Sequence, residues 1–276
     1  TMDEVGMRRT FETATDRAFA AEGTVVFSGR AGDSGTDAFL GLADAAHGGL
    51  TATASNRFGD QRRRASYAFD GRADTVWEAP WTARTHPWVR FTTAHPTTVE
   101  HLDLVALDDA RHARPEQLTL RSGSTTDHID LGTPISDDHG IARYSVSIPA
   151  VAGRTFTVTV TQAAVRHGRS ARGAPIAIAE FGVPGVRRAV DPVRVPSTCR
   201  RGVLFVDGRP VPIVVDASTH DMLESKRLPM APCPSEPTLQ LRAGAHVLTA
   251  PDPDAGLPDA QVVAVDHVAL GSGADG

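Results

Sequence analysis

The chain has 276 residues, 41% of them apolar and 22% charged, ordinary globular usage that excludes a wholly disordered chain or a fibrous repeat. Its formal charge of 28 − 33 = −5 withholds the basic field on which non-specific nucleic-acid affinity depends, so DNA and RNA are excluded as partner classes. No stretch approaches the roughly 18–20 consecutive apolar residues of a membrane span, the first residues show no basic-then-apolar leader, and the length suits one large or two small domains. The expectation is a soluble piece of something longer.

Lys226 is the only lysine, so 27 of the 28 basic residues are arginine, which with abundant alanine and glycine reads as a high-GC bacterial gene. The first twenty residues are expected to form a helix. Thr1 and Glu4 have capping-box spacing, and Val5, Phe11, Ala14, Ala18 and Phe19 fall roughly on one stripe. Residues 23–29 (GTVVFSG) read as a short strand, and residues 36–46 (TDAFLGLADAA) as a capped helix that stops before Gly48 and Gly49. From 51 to 186 short β-rich runs alternate with turns: TATAS, HPWVRFTT, TTVEHLDLVAL, QLTLRS, ARYSVSIP, RTFTVTVTQ and IAIAEFGV. Such spacing predicts an antiparallel sandwich.

Residues 187–196 (RRAVDPVRVP) read as the connection to a second, smaller β-domain spanning 187–276. There Asp207-Gly208 joins two apolar runs as a hairpin, LQLRAGAHVLTA repeats the arrangement around Gly244, residues 261–270 supply a last strand, and GSGADG is a flexible tail. Cys199 and Cys233 enclose a loop on the order of 34 residues, whose closure is worth about 4 kcal/mol in the chain-entropy model. A disulfide is expected because the Pro-rich flank has little core of its own, and it implies export. Two free buried thiols are the alternative.

The most informative stretch is residues 52–77, ATASNRFGDQRRRASYAFDGRADTVW. With A-S-N at 54–56, A-x-D-G-x-x-x-T-x-W at 68–77, Pro-Trp-Val at 87–89, the Thr-Val strand at 98–105 and A-E-F-G-V at 179–183, residues 51–186 resemble the discoidin-like (F5/8 type C, galactose-binding-like) jelly roll. Many carbohydrate-binding modules use that fold. The fold class is therefore all-β: a discoidin-like jelly roll at 51–186, a smaller β-domain at 187–276, and a helical lead-in at 1–50.

The resemblance implies a structural calcium ion held by Asp70, Thr75 and Glu180, with an acid two residues after Asp70. Oxygen ligands suit that hard cation. Arg72 stands at the acid's place, leaving Asp74 as a substitute, so closure of the loop by Arg72 or internal hydrogen bonds without metal is the alternative. It also implies sugar binding by loops at one end of the sandwich, where an aromatic plate stacks on the ring and polar side chains reach its hydroxyls. Three loops qualify. One carries Arg62, Arg63 and Arg64 behind Asn56 and Phe58; one runs from Trp81 to His86; one is Arg111-His112-Ala113-Arg114, with residues 166–172 (RHGRSAR) as an outlier. Trp81 is the expected plate and Trp88 is read as core. An anionic ligand for the arginine runs, or a merely solvated surface, stays open.

Catalytic readings fare worse. Gly32-Asp33-Ser34-Gly35 and Ala45-Ala46-His47 echo serine-protease motifs in reversed order and too close together. The pairs Asp108-Asp109 and Asp137-Asp138 are adjacent acids on turns, whereas glycoside hydrolysis needs opposed carboxylates in one cleft. The histidines lack zinc-site spacing.

The lead-in TVVFSGRAGDSGTDAFLGL, the ATASNRF…FDGRADTVW module and PWVRF strand of the jelly roll, and the later C-x4-LFVDGRPV and LQLRAGAHVL make the whole chain similar to the C-terminal region of the actinobacterial arabinofuranosyltransferase D family, membrane-anchored builders of cell-wall arabinan. That likeness implies a non-catalytic, extracytoplasmic appendage that grips cell-wall polysaccharide, attached to the membrane only through the absent part of its parent. The catalytic residues of that glycosyltransferase would lie in the absent part. A module of a secreted glycoside hydrolase, and a structural or protein-interaction β-domain, are the competing readings.

Overall fold

The computed structural model describes residues 6–28, 31–82, 84–109, 111–165, 174–252 and 256–272. Two compact units form, one from both ends of the chain (Thr1–Gly41 with Asp191–Gly276), the other from Leu42–Val190. The second of these holds eight antiparallel strands. Two long ones, Trp88–Leu107 and Ile141–Val165, form its spine, and their pairing shifts register between Thr92 and Thr97 and between Val99 and His101. Such irregularities bend a ladder, which lets one chain segment serve both walls of a sandwich.

Period-two alternation selects the core. In Trp88–Leu107 the side chains of Val89 and Phe91 are buried while Arg90 is exposed, and Trp77 and Ala79 are buried on either side of half-buried Glu78. Inward rings then meet: Phe91 lies 5.0 Å from Phe156 and 4.9 Å from Phe69, and Phe69 lies 5.7 Å from Phe181. Each fully buried aromatic is worth about 1.5–3 kcal/mol of transfer free energy, so this cluster is the main cohesion of the unit.

The unit made from the chain ends corrects the expected helix at residues 1–20. Met7–Thr13 is a strand paired with Gly244–Ala250, and Arg17–Phe27 is a strand flanked by Arg227–Pro232, Leu239–Leu241 and Val263–Ser272. The reason is period two: Ala21, Val25 and Phe27 are buried together, with Gly23 in phase. A Cβ on Gly23 would overlap the His267 carbonyl of the neighbouring strand, so the close approach needs glycine there. Thr1, Glu4 and Val5, on which the capping-box expectation rested, lie outside the described residues. The predicted helix at 36–46 is instead a helix at Asp33–Phe39 followed by a single 3-10 turn, Ala45–His47.

Phe205–Val206 and Arg209–Pro210 form the expected hairpin, with Asp207 at φ 50° and Gly208 at φ 74°. Cys199 and Cys233 are joined by a disulfide with a Cα separation of 5.4 Å. No helix among the described residues is long and apolar enough to cross a membrane.

Candidate carbohydrate-binding site

Three short segments of the Leu42–Val190 unit build a polar cluster. The 3-10 turn Gln61–Arg63 is capped by Asp60, whose carboxylate accepts from the Arg62 amide at 2.8 Å and pairs with its guanidinium at 3.0 Å. That cap points Arg63 onward to Glu78, 3.1 Å away. Glu78 faces outward because Trp77 and Ala79 take the inward positions of the strand Trp77–Pro80. The turn after Trp88–Leu107 delivers His112. Asp109 accepts from the Arg111 amide at 2.7 Å, the His112 amide at 3.1 Å and His112 Nδ1 at 2.8 Å, which leaves Nε2 facing Glu78 at 3.6 Å. With Nδ1 committed to Asp109, the ring is held in one orientation.

The electrostatics follow from this geometry. Side-chain exposure is 14% for Glu78 and 9% for His112, against 41% for Arg63. Burial works against a charged His112, but Glu78 and Asp109 outweigh it and raise the imidazole above its ordinary value. His112, then Arg63, hold Glu78 below the usual carboxylate range although burial opposes them. The result is a row of donors and acceptors, guanidinium, carboxylate and imidazole, fixed by their own neighbours and open on the Arg63 side. Such a row can hydrogen-bond vicinal hydroxyls.

The same loop carries an aromatic plate. Phe58 is 52% exposed and sits at φ 55°, held by its amide donating to Asn56 Oδ1 at 2.8 Å and followed by Gly59 at φ 70°. A bulky residue in the left-handed region is an outlier that the surrounding turn must enforce. Asn56 is itself exposed, and its carbonyl accepts from Trp77 Nε1 at 3.0 Å, tying the loop to the core.

Several expected site residues are placed otherwise. Trp81, the expected plate, is 5% exposed and belongs to the core cluster, its Nε1 buried with no hydrogen-bond partner among the described residues. It therefore offers no face to a ligand, and the correction has a simple cause: it directly continues the Trp77–Pro80 strand, in phase with Trp77 and Ala79. Trp88, expected in the core, is half-buried on the outer face with the Arg90 guanidinium 5.1 Å from its ring. Val89 and Phe91 hold the inward phase. Arg64 is fully buried, stacked on Tyr67 at 4.0 Å and donating to the Gln61 carbonyl, so it braces the turn and is no surface donor. His86 and Arg111 are exposed, and Arg62 is occupied by Asp60. Residues 166–172 lie outside the described residues. Of the expected set, His112 joins the cluster; Glu78, which completes it, was not singled out, although W-E-A alternation marks it as outward.

The residues implied for calcium only partly converge. Asp70 is 1% exposed, and its two carboxylate oxygens accept from Thr75 Oγ1 at 2.9 Å each; Oδ1 also accepts from the Arg72 amide at 3.0 Å. Glu180 accepts from the Gly71 amide at 2.7 Å. Asp74 does not take the missing acid's place: it pairs with the Arg72 guanidinium at the surface, 2.5 Å away. Among the described residues no group of three or more His, Cys, Asp or Glu side chains is gathered to hold a metal ion. The donor set does not fit calcium.

Comparison with known proteins agrees with the architecture. The chain is similar to cryo-EM structures of the arabinofuranosyltransferase AftD from Mycobacteria. A mutant form is 20% identical with TM-score 0.63, covering 99% of this chain and 21% of that one. A second AftD structure is 20% identical with TM-score 0.61, covering 98% and 20%. A family 32 carbohydrate-binding module of C. perfringens NanJ, solved with galactose, is 14% identical with TM-score 0.34, covering 49% and 92%. This chain thus spans about a fifth of the AftD chains, and no curated protein sequence matches it. Residues 47–173 match the family model described as the third carbohydrate-binding module of arabinofuranosyltransferase D, the likeness already carried by the sequence of that segment.

Proposed function

We propose that the Leu42–Val190 unit is a non-catalytic glycan-binding module of a membrane-anchored arabinofuranosyltransferase, facing the cell envelope and gripping cell-wall arabinan or a related polysaccharide. The observation that carries the reading is that one short stretch, residues 56–63, of a segment matched to a carbohydrate-binding family carries both the exposed Phe58 and Arg63, which opens the Arg63–Glu78–His112 row. Phe58 supplies an apolar face for a sugar ring and the row supplies hydroxyl partners, with Asn56 and Arg62 on the same loop. Export is supported by the disulfide.

The test is titration of the purified chain with arabinan and galactan oligosaccharides, by calorimetry and by NMR. Phe58→Ala is expected to weaken binding on the order of tenfold or more, taking aromatic stacking on nucleic-acid bases as the analogue. Because Phe58 is half out in solvent, its thermal midpoint should hold. The burial of Trp81 favours a second reading, a scaffold whose partner is the rest of its own parent. Silence across a broad glycan panel would establish that reading over the first.

A further inference from the structure

The turn Asp70-Gly71 and the closing strand Pro175–Gly182 bring two carboxylates, Asp70 and Glu180, to one place. Asp70 is 1% exposed, and Glu180 reaches the same turn by accepting from the Gly71 amide at 2.7 Å. A carboxylate as buried as Asp70 is stabilised by a cation placed nearby. Arg72, at the position where the resemblance implies an acid, is turned away toward Asp74. Arg187, five residues beyond the strand, is turned in: its guanidinium lies against the Gly71 backbone and its Nη2 donates to the Asp70 carbonyl at 3.4 Å.

The closeness of that approach is measured by Gly71. At φ 73° the residue needs the left-handed region, and a Cβ built on it would lie 2.7 Å from Arg187 Cζ and 2.8 Å from Nε. Glycine is thus required twice, once for the turn and once for the guanidinium. A calcium ion needs six to eight oxygens at about 2.3–2.6 Å. Here the Asp70 carboxylate is committed to Thr75 and the Arg72 amide, Glu180 to the Gly71 amide, and the Asp70 carbonyl to Arg187.

We propose that the guanidinium of Arg187 does the work of the calcium ion in this fold, clamping the Asp70-Gly71 turn to the sheet, so that the module is calcium-independent. The inference stands apart from the glycan reading, since it concerns stability alone. Its test compares the full chain in millimolar calcium and in chelator, with direct metal analysis after desalting. The wild type is expected to carry no stoichiometric calcium and to melt at the same temperature in both buffers. Arg187→Met is expected to melt lower and to recover part of the loss in millimolar calcium, as ligand linkage requires once a site opens. Arg187→Lys, which keeps a cation, should stay indifferent to calcium. Stoichiometric calcium in the wild type, a calcium-raised wild-type midpoint, or an Arg187→Met variant as stable as wild type would each overturn the proposal. The wild-type measurements decide it even if the methionine variant fails to fold.

Discussion

Glu78→Gln keeps the side-chain shape and removes one charge from the Arg63–Glu78–His112 row. Arg63 is well solvated and loses little. His112 is 9% exposed and, among the described residues, keeps Asp109 as its anionic partner. The 3.6 Å separation is an ion contact longer than a hydrogen bond, which places the cost at the lower end for half-buried charged partners, about 1–2 kcal/mol. At roughly 2–4 °C per kcal/mol for a protein of this size, the midpoint should fall by about 2–8 °C. The pH dependence is sharper than the magnitude. The folded pKa of His112 is raised above its ordinary 6.5, so its contribution is fully present below that value and is lost as pH rises through the folded pKa. Glu78 is lowered from 4.5, so its contribution is present above that value and is lost as pH falls through its folded pKa. The stability difference between wild type and variant should therefore plateau between 4.5 and 6.5 and shrink on both sides. Urea denaturation across a pH series measures it, and NMR titration of the His112 ring should show a lower pKa in the variant. A difference that stays flat into alkaline pH, with an unchanged imidazole titration, would refute the coupling.

Trp81→Ala should cost about 3–5 kcal/mol in chemical denaturation, as for a large core aromatic, whereas a surface plate would cost almost nothing. Cys199→Ser should lower stability by about 4 kcal/mol in the chain-entropy model, with the loss matched by mild reduction of the wild type. Gly23→Ala drives a methyl into the His267 carbonyl; overpacking of about 1–3 kcal/mol should appear as faster amide exchange in Arg17–Phe27 and Val263–Ser272, with the Trp88–Leu107 ladder unaffected.

The sandwich was legible because its strands recur at short intervals with clean alternation, even where a partner lies far along the chain, as Pro175–Gly182 does for Trp77–Pro80. Met7–Thr13 and Arg17–Phe27, whose partners Gly244–Ala250 and Val263–Ser272 lie more than two hundred residues on, were not. Local pattern alone then let Phe11, Ala14, Ala18 and Phe19 pass for a helical stripe. The two tryptophans carry a different lesson. In W-V-R-F, placing Trp88 inside would also place Arg90 inside, and a strand that can bury Val89 and Phe91 instead will do so. The period is readable in both segments: by phase Trp81 falls in with Trp77 and Ala79, and Trp88 with Arg90.

The site itself was only half written in any one segment. Asn56, Arg62 and His112 could be proposed from residue type, but a lone glutamate between Trp77 and Ala79 announces nothing until Arg63 and His112 arrive from both sides. Phe58 shows the same limit from the conformational side. F-G after an asparagine suggests a turn, yet only the enforced φ of 55° distinguishes an aromatic held out into solvent from one that folds back onto the core. Arg187 completes the argument. By composition it is one more arginine in a linker, and what gives it a task is the absence of a side chain on Gly71, more than a hundred residues earlier. The Arg63–Glu78–His112 row and the Arg187–Gly71 contact are thus defined by the space that other residues leave, and that space exists only once the strands have been registered.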